Sequence, residues 1–489
     1  MACLIAAPTS GSGKTLLSLM LIAAASRRGQ TIQPFKVGPD YLDPQLHSRL
    51  AGRPCRNLDT LLCGPDWVQR SFVWHGSRAQ LALVEGVMGL FDGRGAGSEG
   101  SSAEVAAQLD LPVVLVVEAS RQAGSLAALV RGFRDHGPPR VQLAGVVLNR
   151  VSSPRHRALL AEALAAIDVP LLGVVPSDDA LALPSRHLGL LSAAELPNFA
   201  QRAERWAKLA HEHLDLERLW PLLQAPAPPA GTLDPIDALL APKRQAVPAA
   251  APVPVAVASD QAFQFVYPEA LELLKAVGLE PWPWRPTADE PLPTGCRAVV
   301  LPGGYPELWA AELAAAERAR SSLRQAAALG VPLLAECGGL LLLGQELADA
   351  AGRWHAMAGV LPFAAARGGL SLGYREARCN ASGLLTRPGE RWRGHEFHRW
   401  QLQDRPAAAS VVAARRGLWQ LEGWGCPAHE EGWTAPNVHA SWLHLHWAGC
   451  PEIPRRLAAA AVNAAPLPPA AAFCSPVIHD PRSALNAGA

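Results

Sequence analysis

The stretch C-L-I-A-A-P-T-S-G-S-G-K-T-L-L-S-L-M constrains the fold of this chain more than any other. A short apolar run enters a Ser/Gly loop and leaves it through Lys14 and Thr15 into a helical pattern. In a strand–glycine loop–helix unit, backbone N–H groups curl around phosphate oxygens and the helix N-terminus adds partial positive charge. Gly11, Ser12 and Gly13 form the loop, Lys14 reaches for the β- and γ-phosphates, and Thr15 offers a hydroxyl to Mg²⁺. The usual spacing asks for glycine where this chain has Pro8, so Gly11 and Gly13 carry the flexibility instead.

Such a loop needs a parallel sheet behind it. Strand-length runs (TIQPF, LALVEG, PVVLVVEA, LAGVVLN, PLLGVVP) alternate with helical ones such as SSAEVAAQL, AGSLAALVRGFRD and PRHRALLAEALAAI. That alternation predicts an α/β, doubly wound domain over residues 1–222, closed by helix over about 196–222. In that fold the strand ends converge on the phosphate loop. Asp40 and Asp43 follow the second strand, and Glu85 ends the third. Thr15, Asp40 and Glu85 are thus candidate Mg²⁺ ligands, directly or through water, and Lys36 can meet a phosphate or a substrate carboxylate. Asn149, ending GVVLN, fits either an adenine edge or a helix N-cap.

Residues 223–252 are rich in Pro and Ala and read as an extended, exposed linker. A second α/β pattern fills 253–450, with a helix near 309–329 and shorter, antiparallel strands from about 357. Residues 463–489 lack periodicity and read as a disordered tail. Within the second pattern, V-P-L-L-A-E-C-G-G-L-L-L-L-G is a buried strand turning sharply at Cys337 into a helix. A turn of that kind exposes a nucleophile at a helix N-terminus. The dipole is expected to lower the thiol pKa, and the Gly338 N–H faces a developing oxyanion, with Gly304 as a second donor.

A thiolate nucleophile needs a base. Near the C-terminal end, H-A-S-W-L-H-L-H-W places His439, His444 and His446 within eight positions. Residues 441–446 alternate as a strand would, which puts His444 and His446 on one face. No cysteine or carboxylate at ligand spacing accompanies them, so a catalytic base is favoured over a metal site. His395 and His398 in RGHEFHRW form a second group, expected to be structural or substrate-facing.

Composition narrows the remaining classes. With 44 basic and 43 acidic residues in 489, nothing suggests a polyanion-binding surface, so no nucleic-acid partner is expected. No apolar run reaches the roughly 18–20 residues of a membrane span. Nine cysteines without CxxC pairing, and no export signal, point to reduced thiols in the cytoplasm.

Taken in order, APTSGSGKT, FKVGPDYLDP, NLD, VEGVMGLFDG, GVVLNRV, LPGGYPE, AECGG, RGHEFH and ASWLHLHW closely resemble the cobyrinic acid a,c-diamide synthases, over residues 2–448. The resemblance implies an N-terminal P-loop domain similar to dethiobiotin synthetase. It also implies a C-terminal domain like the triad-type (class I) glutamine amidotransferases. Its partners would be a corrinoid substrate, ATP and L-glutamine, with Mg²⁺ as cofactor. Its reaction would be ATP- and glutamine-dependent amidation of the a and c acetate groups, in cobalamin biosynthesis. By the same resemblance Cys337 and His444 are the glutaminase pair, while Lys36, Asp40, Leu42, Asp43 and Glu85 belong to the synthetase site.

One position departs from the triad-type pattern. Two residues after the base, where glutamate is usual, stands His446, leaving Glu336 and Glu396 as equal contenders to orient His444. Two other readings compete with the main one. One is the synthase that amidates nickel sirohydrochlorin. The other is a P-loop ATPase switch carrying an inert amidotransferase-like domain, against which an intact Cys337 and His444 argue.

Overall fold

The structure is a computed structural model that describes residues 2–178, 185–186, 189–190, 195–241, 251–406 and 410–469. Seven strands form the first sheet: β1 (Cys3–Ala6), β2 (Ile32–Val37), β3 (Arg56–Leu58), β4 (Leu81–Glu85), β5 (Val113–Glu118), β6 (Leu143–Val151) and β7 (Leu171–Pro176). All neighbours are parallel, in the order β3-β2-β4-β1-β5-β6-β7. The order reverses about β1, so the loop after β1 opens into the crevice where such sheets bind ligands. Edge strand β3 escapes the sequence pattern because its three residues, Arg-Asn-Leu, include two polar ones.

The helix after the phosphate loop, α1 (Lys14–Arg27), is apolar nearly all round. A helix of that kind must be covered on several sides. The sheet covers one, and Trp206, Ala207 and Ala210 of the helix Phe199–His213 cover another. That closing helix stops at His213, and Asp215 caps a second one over Leu216–Leu222, so 196–222 is two helices and not one.

In the second half, five parallel strands run in the order Leu279–Trp284, Val253–Ala258, Ala298–Leu301, Leu333–Glu336, Val438–Ser441. The sheet then continues antiparallel through Cys426–Ala435, Arg415–Gly423 and Phe363–Cys379. The helix near 309–329 is broken at Ala316 into Ala310–Ala315 and Glu317–Ala328.

Three expectations need correction. Residues 223–241 are an exposed linker only in part, over about 227–231. The chain hydrogen-bonds along β4 through Leu223 and Ala225, and the helix Pro235–Leu240, capped by Asp234, buries Ile236 and Leu240 in the cluster that includes Trp67, against the helices Pro65–Gly76 and Pro268–Ala276. Pro and Ala gave no amphipathic signal, yet two aliphatic side chains sufficed to dock the helix. Residues 242–250 lie outside the described residues.

Residues 463–469 depart from the disordered tail that was expected to start there. Asn463 ends a helix, Leu467 is buried, and its N–H and C=O bond Cys296 and Gly295. Residues 470–489 lie outside the described residues.

The third correction concerns the histidine cluster. The strand ends at Ser441, because Glu431 accepts hydrogen bonds from the Ser441 hydroxyl and the Trp442 N–H. Beyond it, His444 makes only an isolated antiparallel bridge to His395.

The two halves meet over polar and aromatic contacts. Arg56 lies 3.4 Å from Glu269 and bonds both oxygens of Glu272. The Tyr374 hydroxyl donates to Asp59 at 3.0 Å, and Gln45 donates to the Gln264 carbonyl. Tyr41 stacks on Phe265, 5.1 Å between centroids, and packs on Tyr267. This places the loop after β2 against the second sheet.

Candidate active site

In the phosphate loop Gly11 and Gly13 adopt left-handed φ values of 80° and 112°. Any Cβ at Gly13 would collide with the Asn149 side chain, whose Nδ2 donates 2.9 Å to the Ser12 carbonyl. Asn149 therefore braces the loop. It does not cap a helix, since Ser153 caps the one that follows. The Ser12 hydroxyl donates to Thr9 O, and Lys14 Nζ to Met88 O at 2.6 Å. Burial and the charge of Lys36 lower the Lys14 pKa.

Beneath the loop lies a buried charge cluster. Lys36 Nζ sits 2.6 Å from Asp43 Oδ2, 2.8 Å from Glu85 Oε1 and 3.6 Å from Asp40 Oδ2. The Thr15 hydroxyl donates to Glu85 Oε1 at 2.8 Å and to Asp43 Oδ2 at 3.3 Å. Leu42 is buried, and its N–H donates to Asp40 Oδ1, which caps the start of α2 (Leu42–Ala51). All the residues singled out for the synthetase site are thus assembled in one place. Reading the sequence missed His47, whose Nε2 lies 3.0 Å from Glu85 Oε2 with both side chains fully buried. Its spacing from Asp43, four residues on α2, was the available signal.

Three carboxylates face one lysine here, so the cluster is rich in negative charge. Burial, then the charge of Asp40, pushes Asp43 up to about 7. Burial also opposes ionisation of Glu85, but Lys36 and His47 outweigh it and hold Glu85 well below the usual carboxylate range.

The second cluster surrounds Cys337. This residue has φ 46° and ψ −105°, a strained conformation for a side-chain-bearing residue, between the strand Leu333–Glu336 and the helix Gly338–Leu343. Its N–H donates to the Ser441 carbonyl at 2.8 Å. The two glycines that follow are required sterically. A Cβ on Gly338 would lie 2.8 Å from the Gly304 nitrogen, and one on Gly339 would overlap the Leu301 carbonyl. The His444 ring in turn packs on Gly303, so adjacent residues of the 303–304 turn touch the base and the elbow. Cys337, Gly338, Gly304 and His444 therefore occupy one locus.

The thiol departs from expectation. Burial, at 4% exposure, pushes its pKa well above the ordinary value, and the charge of Glu307 adds to this. Desolvation outweighs a dipole from a helix of only six residues. His444 is pushed down to about 3 by burial, then by the charges of His395 and His398, so its imidazole is neutral, with a free lone pair but low basicity in this dry setting.

Neither proposed acid orients His444. Glu396 is bonded by Arg375 at 2.7 Å and Ser371 at 3.0 Å, and lies 3.7 Å from His398. Glu336 is bonded by Trp447 and the Leu445 N–H, and burial pushes it up to about 8. The ring nitrogen Nδ1 of His444 instead faces the Tyr41 hydroxyl at 3.5 Å. Tyr41 lies within the GPDYLDP stretch, but nothing in the sequence tied it to a histidine four hundred residues away. His446 packs on Tyr267 with Nε2 3.9 Å from Glu269, and His439 packs edge-on to Trp419. His398 stacks on Trp442, 3.9 Å between centroids. Among the described residues, no group of three or more His, Cys, Asp or Glu is arranged to hold a metal ion, and no helix is long and apolar enough to cross a membrane.

Comparison with known proteins finds relatives for both halves of the chain. The CobQ/CobB/MinD/ParA nucleotide binding domain family matches residues 3–191, and the CobB/CobQ-like glutamine amidotransferase domain family matches residues 254–451. A cobyrinate a,c-diamide synthase of Gloeobacter violaceus is 44% identical over 453 residues, covering 91% of this chain and 94% of the relative. A hydrogenobyrinate a,c-diamide synthase of Streptomyces coelicolor is 43% identical, covering 92% and 96%. A cobyrinate a,c-diamide synthase of Salmonella typhimurium is 39% identical, covering 94% and 97%. A nucleotide-binding half and an amidotransferase half, joined across nearly the full length of these relatives, lead to one assignment: the chain belongs to the cobyrinate/hydrogenobyrinate a,c-diamide synthase family of glutamine-dependent carbon–nitrogen ligases.

Proposed function

We propose that this protein converts the a and c acetate carboxylates of cobyrinic or hydrogenobyrinic acid to amides, using ATP and glutamine. The observation that carries this reading is the contact between the two clusters. Tyr41 is flanked by Asp40 and Leu42 of the charged cluster, and its hydroxyl faces the base of the thiol cluster. One loop thus serves an acid-activating site and an amide-cleaving site.

A carboxylate does not condense with ammonia unaided, because its oxygen leaves poorly. Phosphoryl transfer from ATP to the substrate carboxylate gives an acyl phosphate that ammonia can displace. Lys14 and the loop N–H groups hold the phosphates, and Lys36 neutralises charge as the phosphoryl group moves. Thr15, Asp40 and Glu85, with Asp43 beside them, supply the oxygen donors that suit a hard cation: the Thr15 hydroxyl bonds Glu85 at 2.8 Å and Asp43 at 3.3 Å, and Asp40 lies 3.6 Å from the same Lys36. When bound there, Mg²⁺ supplies charge neutralisation at the transferring phosphate.

In the second site the Cys337 thiol gives its proton to neutral His444 and attacks the glutamine amide. The N–H groups of Gly338 and Gly304 are suited to the resulting oxyanion. His444 then returns the proton to the leaving nitrogen, releasing ammonia and a thioester that water hydrolyses to glutamate.

The test is mass analysis of products from the purified protein with ATP, Mg²⁺, glutamine and either corrinoid. Two successive amidations are expected, and no amidation of either substrate overturns the reading. In the same assay His444→Ala is expected to depress glutamine use far more than His446→Ala, because His446 packs against Tyr267 and Glu269, away from the elbow. The reverse ranking would mean that His446 is the base.

A further inference from the structure

The two long strands Phe363–Cys379 and Arg391–Asp404 pair antiparallel as a ribbon that reaches from the second half of the protein to the first. Alternation gives a ribbon two faces. One is turned to its own half: Ser371 and Arg375 bond Glu396, and the Trp400 indole bonds the Ala348 carbonyl. The other is turned to the phosphate-loop half: Tyr374 bonds Asp59, and Arg94 bonds Glu376. Those two contacts fix where the ribbon stands. Asp59 is close in sequence to Asn57, whose side chain bonds the carbonyls of Gly38 and Asp40. Arg94 belongs to the loop that leaves Glu85 and carries Met88, the acceptor for the Lys14 ammonium. The ribbon therefore borders both loops that frame the charged cluster.

Beyond Tyr374 the same face is bare. Leu372 is 50% exposed, and Leu370, further along the strand, is 46% exposed. Phe397 stands directly opposite Leu372 and is only partly buried. Arg393 and Arg399 share this face by alternation, and the Arg399 Nε has no hydrogen-bond partner among the described residues. Arginines outnumber acids six to three on the two strands, in a chain that carries 44 basic and 43 acidic residues overall. An exposed apolar patch rimmed by charge marks a binding surface. This one continues an interface already formed by Tyr374 and Glu376.

The substrate has the matching chemistry. A corrinoid acid is a broad, flat macrocycle with apolar faces and ionised carboxylates around its rim. Lys36 and Glu85 are too deeply buried to admit the ring. Only an acetate arm can reach them, so the ring must rest outside, against what borders the cluster.

We propose that Leu370, Leu372 and Phe397 form the platform on which the corrin ring lies, with Arg399 meeting a carboxylate at its rim. The proposal rests on the amidation reading and names the surface that holds its substrate. The apolar face gives affinity for the macrocycle, and the arginine favours an acid over a fully amidated corrinoid.

The experiment is equilibrium dialysis of the full-length protein against hydrogenobyrinic acid and against cobyrinic acid. Leu370→Asp combined with Leu372→Asp is expected to raise Kd about tenfold or more, because apolar contact is lost and a charge of the substrate's own sign is added. Both leucines are half in water, so the denaturation midpoint is expected to hold. Leu372→Met keeps the apolar contact and is expected to bind within about twofold of the wild type. Arg399→Gln is expected to raise Kd about fivefold at low salt and to weaken the dependence on salt. Unchanged affinity in the double variant overturns the proposal. If that variant also loses a concentration-dependent dimer seen in the wild type, the face belongs to a second copy of this chain. Equal loss of affinity in Leu372→Met overturns it as well. A wild-type protein that binds neither corrinoid would strike at the amidation reading itself and is scored separately.

Discussion

Cys337→Ala is expected to abolish glutamine-dependent synthesis while leaving synthesis from added ammonium intact. The first effect follows from the chemistry. Without the sulfur no thioester forms, and removing the nucleophile of a catalytic pair depresses turnover by about 10⁴-fold or more. The second follows from the geometry. The thiol is buried in its own turn, and alanine at φ 46° carries the same backbone strain as cysteine, so the elbow keeps its shape. The charged cluster around Lys36 contains no atom of this turn. Parallel assays with glutamine and with ammonium chloride as nitrogen source separate the outcomes. Equal loss of both activities would contradict a division of labour between two sites.

Much of this arrangement was legible in the chain because it rests on local rules. A strand running into S-G-S-G-K-T, or into E-C-G-G, leaves few backbone solutions, and the structure shows why the glycines are there. Gly13 makes room for Asn149, Gly338 for the 303–304 turn, and Gly339 for the Leu301 carbonyl. The α/β alternation likewise pointed to parallel strands, which the first sheet has throughout and the second only in its five-stranded part.

What stayed hidden depends on contacts distant in sequence. The strand after His439 ends because Glu431, on a neighbouring strand, captures Ser441 and Trp442. The thiol pKa rises because the sulfur is buried and the charge of Glu307 adds to this, which no local pattern reveals. The acids expected to orient His444 were Glu336 and Glu396, both from its own half of the chain. The group that faces Nδ1 is a tyrosine from the other half of the protein. Ile236 and Leu240 were too few to mark a helix in a Pro/Ala stretch, and their burial depends on the helices Pro65–Gly76 and Pro268–Ala276 that the segment packs against.

Lys14→Ala and Glu85→Gln are expected to remove synthesis with either nitrogen source, and their effects on stability should differ. The Lys14 ammonium donates one hydrogen bond, to the Met88 carbonyl, so removing it leaves the fold nearly untouched. What it takes away is charge at the transferring phosphate, a contribution that grows in the transition state and costs about 10²–10³-fold in turnover when removed. Glu85 is fully buried and shared by Lys36, Thr15 and His47. Removing one member of a buried ion pair costs about 3–5 kcal/mol. Asp43, 2.6 Å from the same ammonium, retains a counter-charge and should bring the loss toward the lower end. Denaturant midpoints are thus expected to fall for Glu85→Gln and hold for Lys14→Ala, while both variants still hydrolyse glutamine through the untouched Cys337. Amidation from ammonium that persists in either variant would place phosphoryl transfer somewhere other than this cluster.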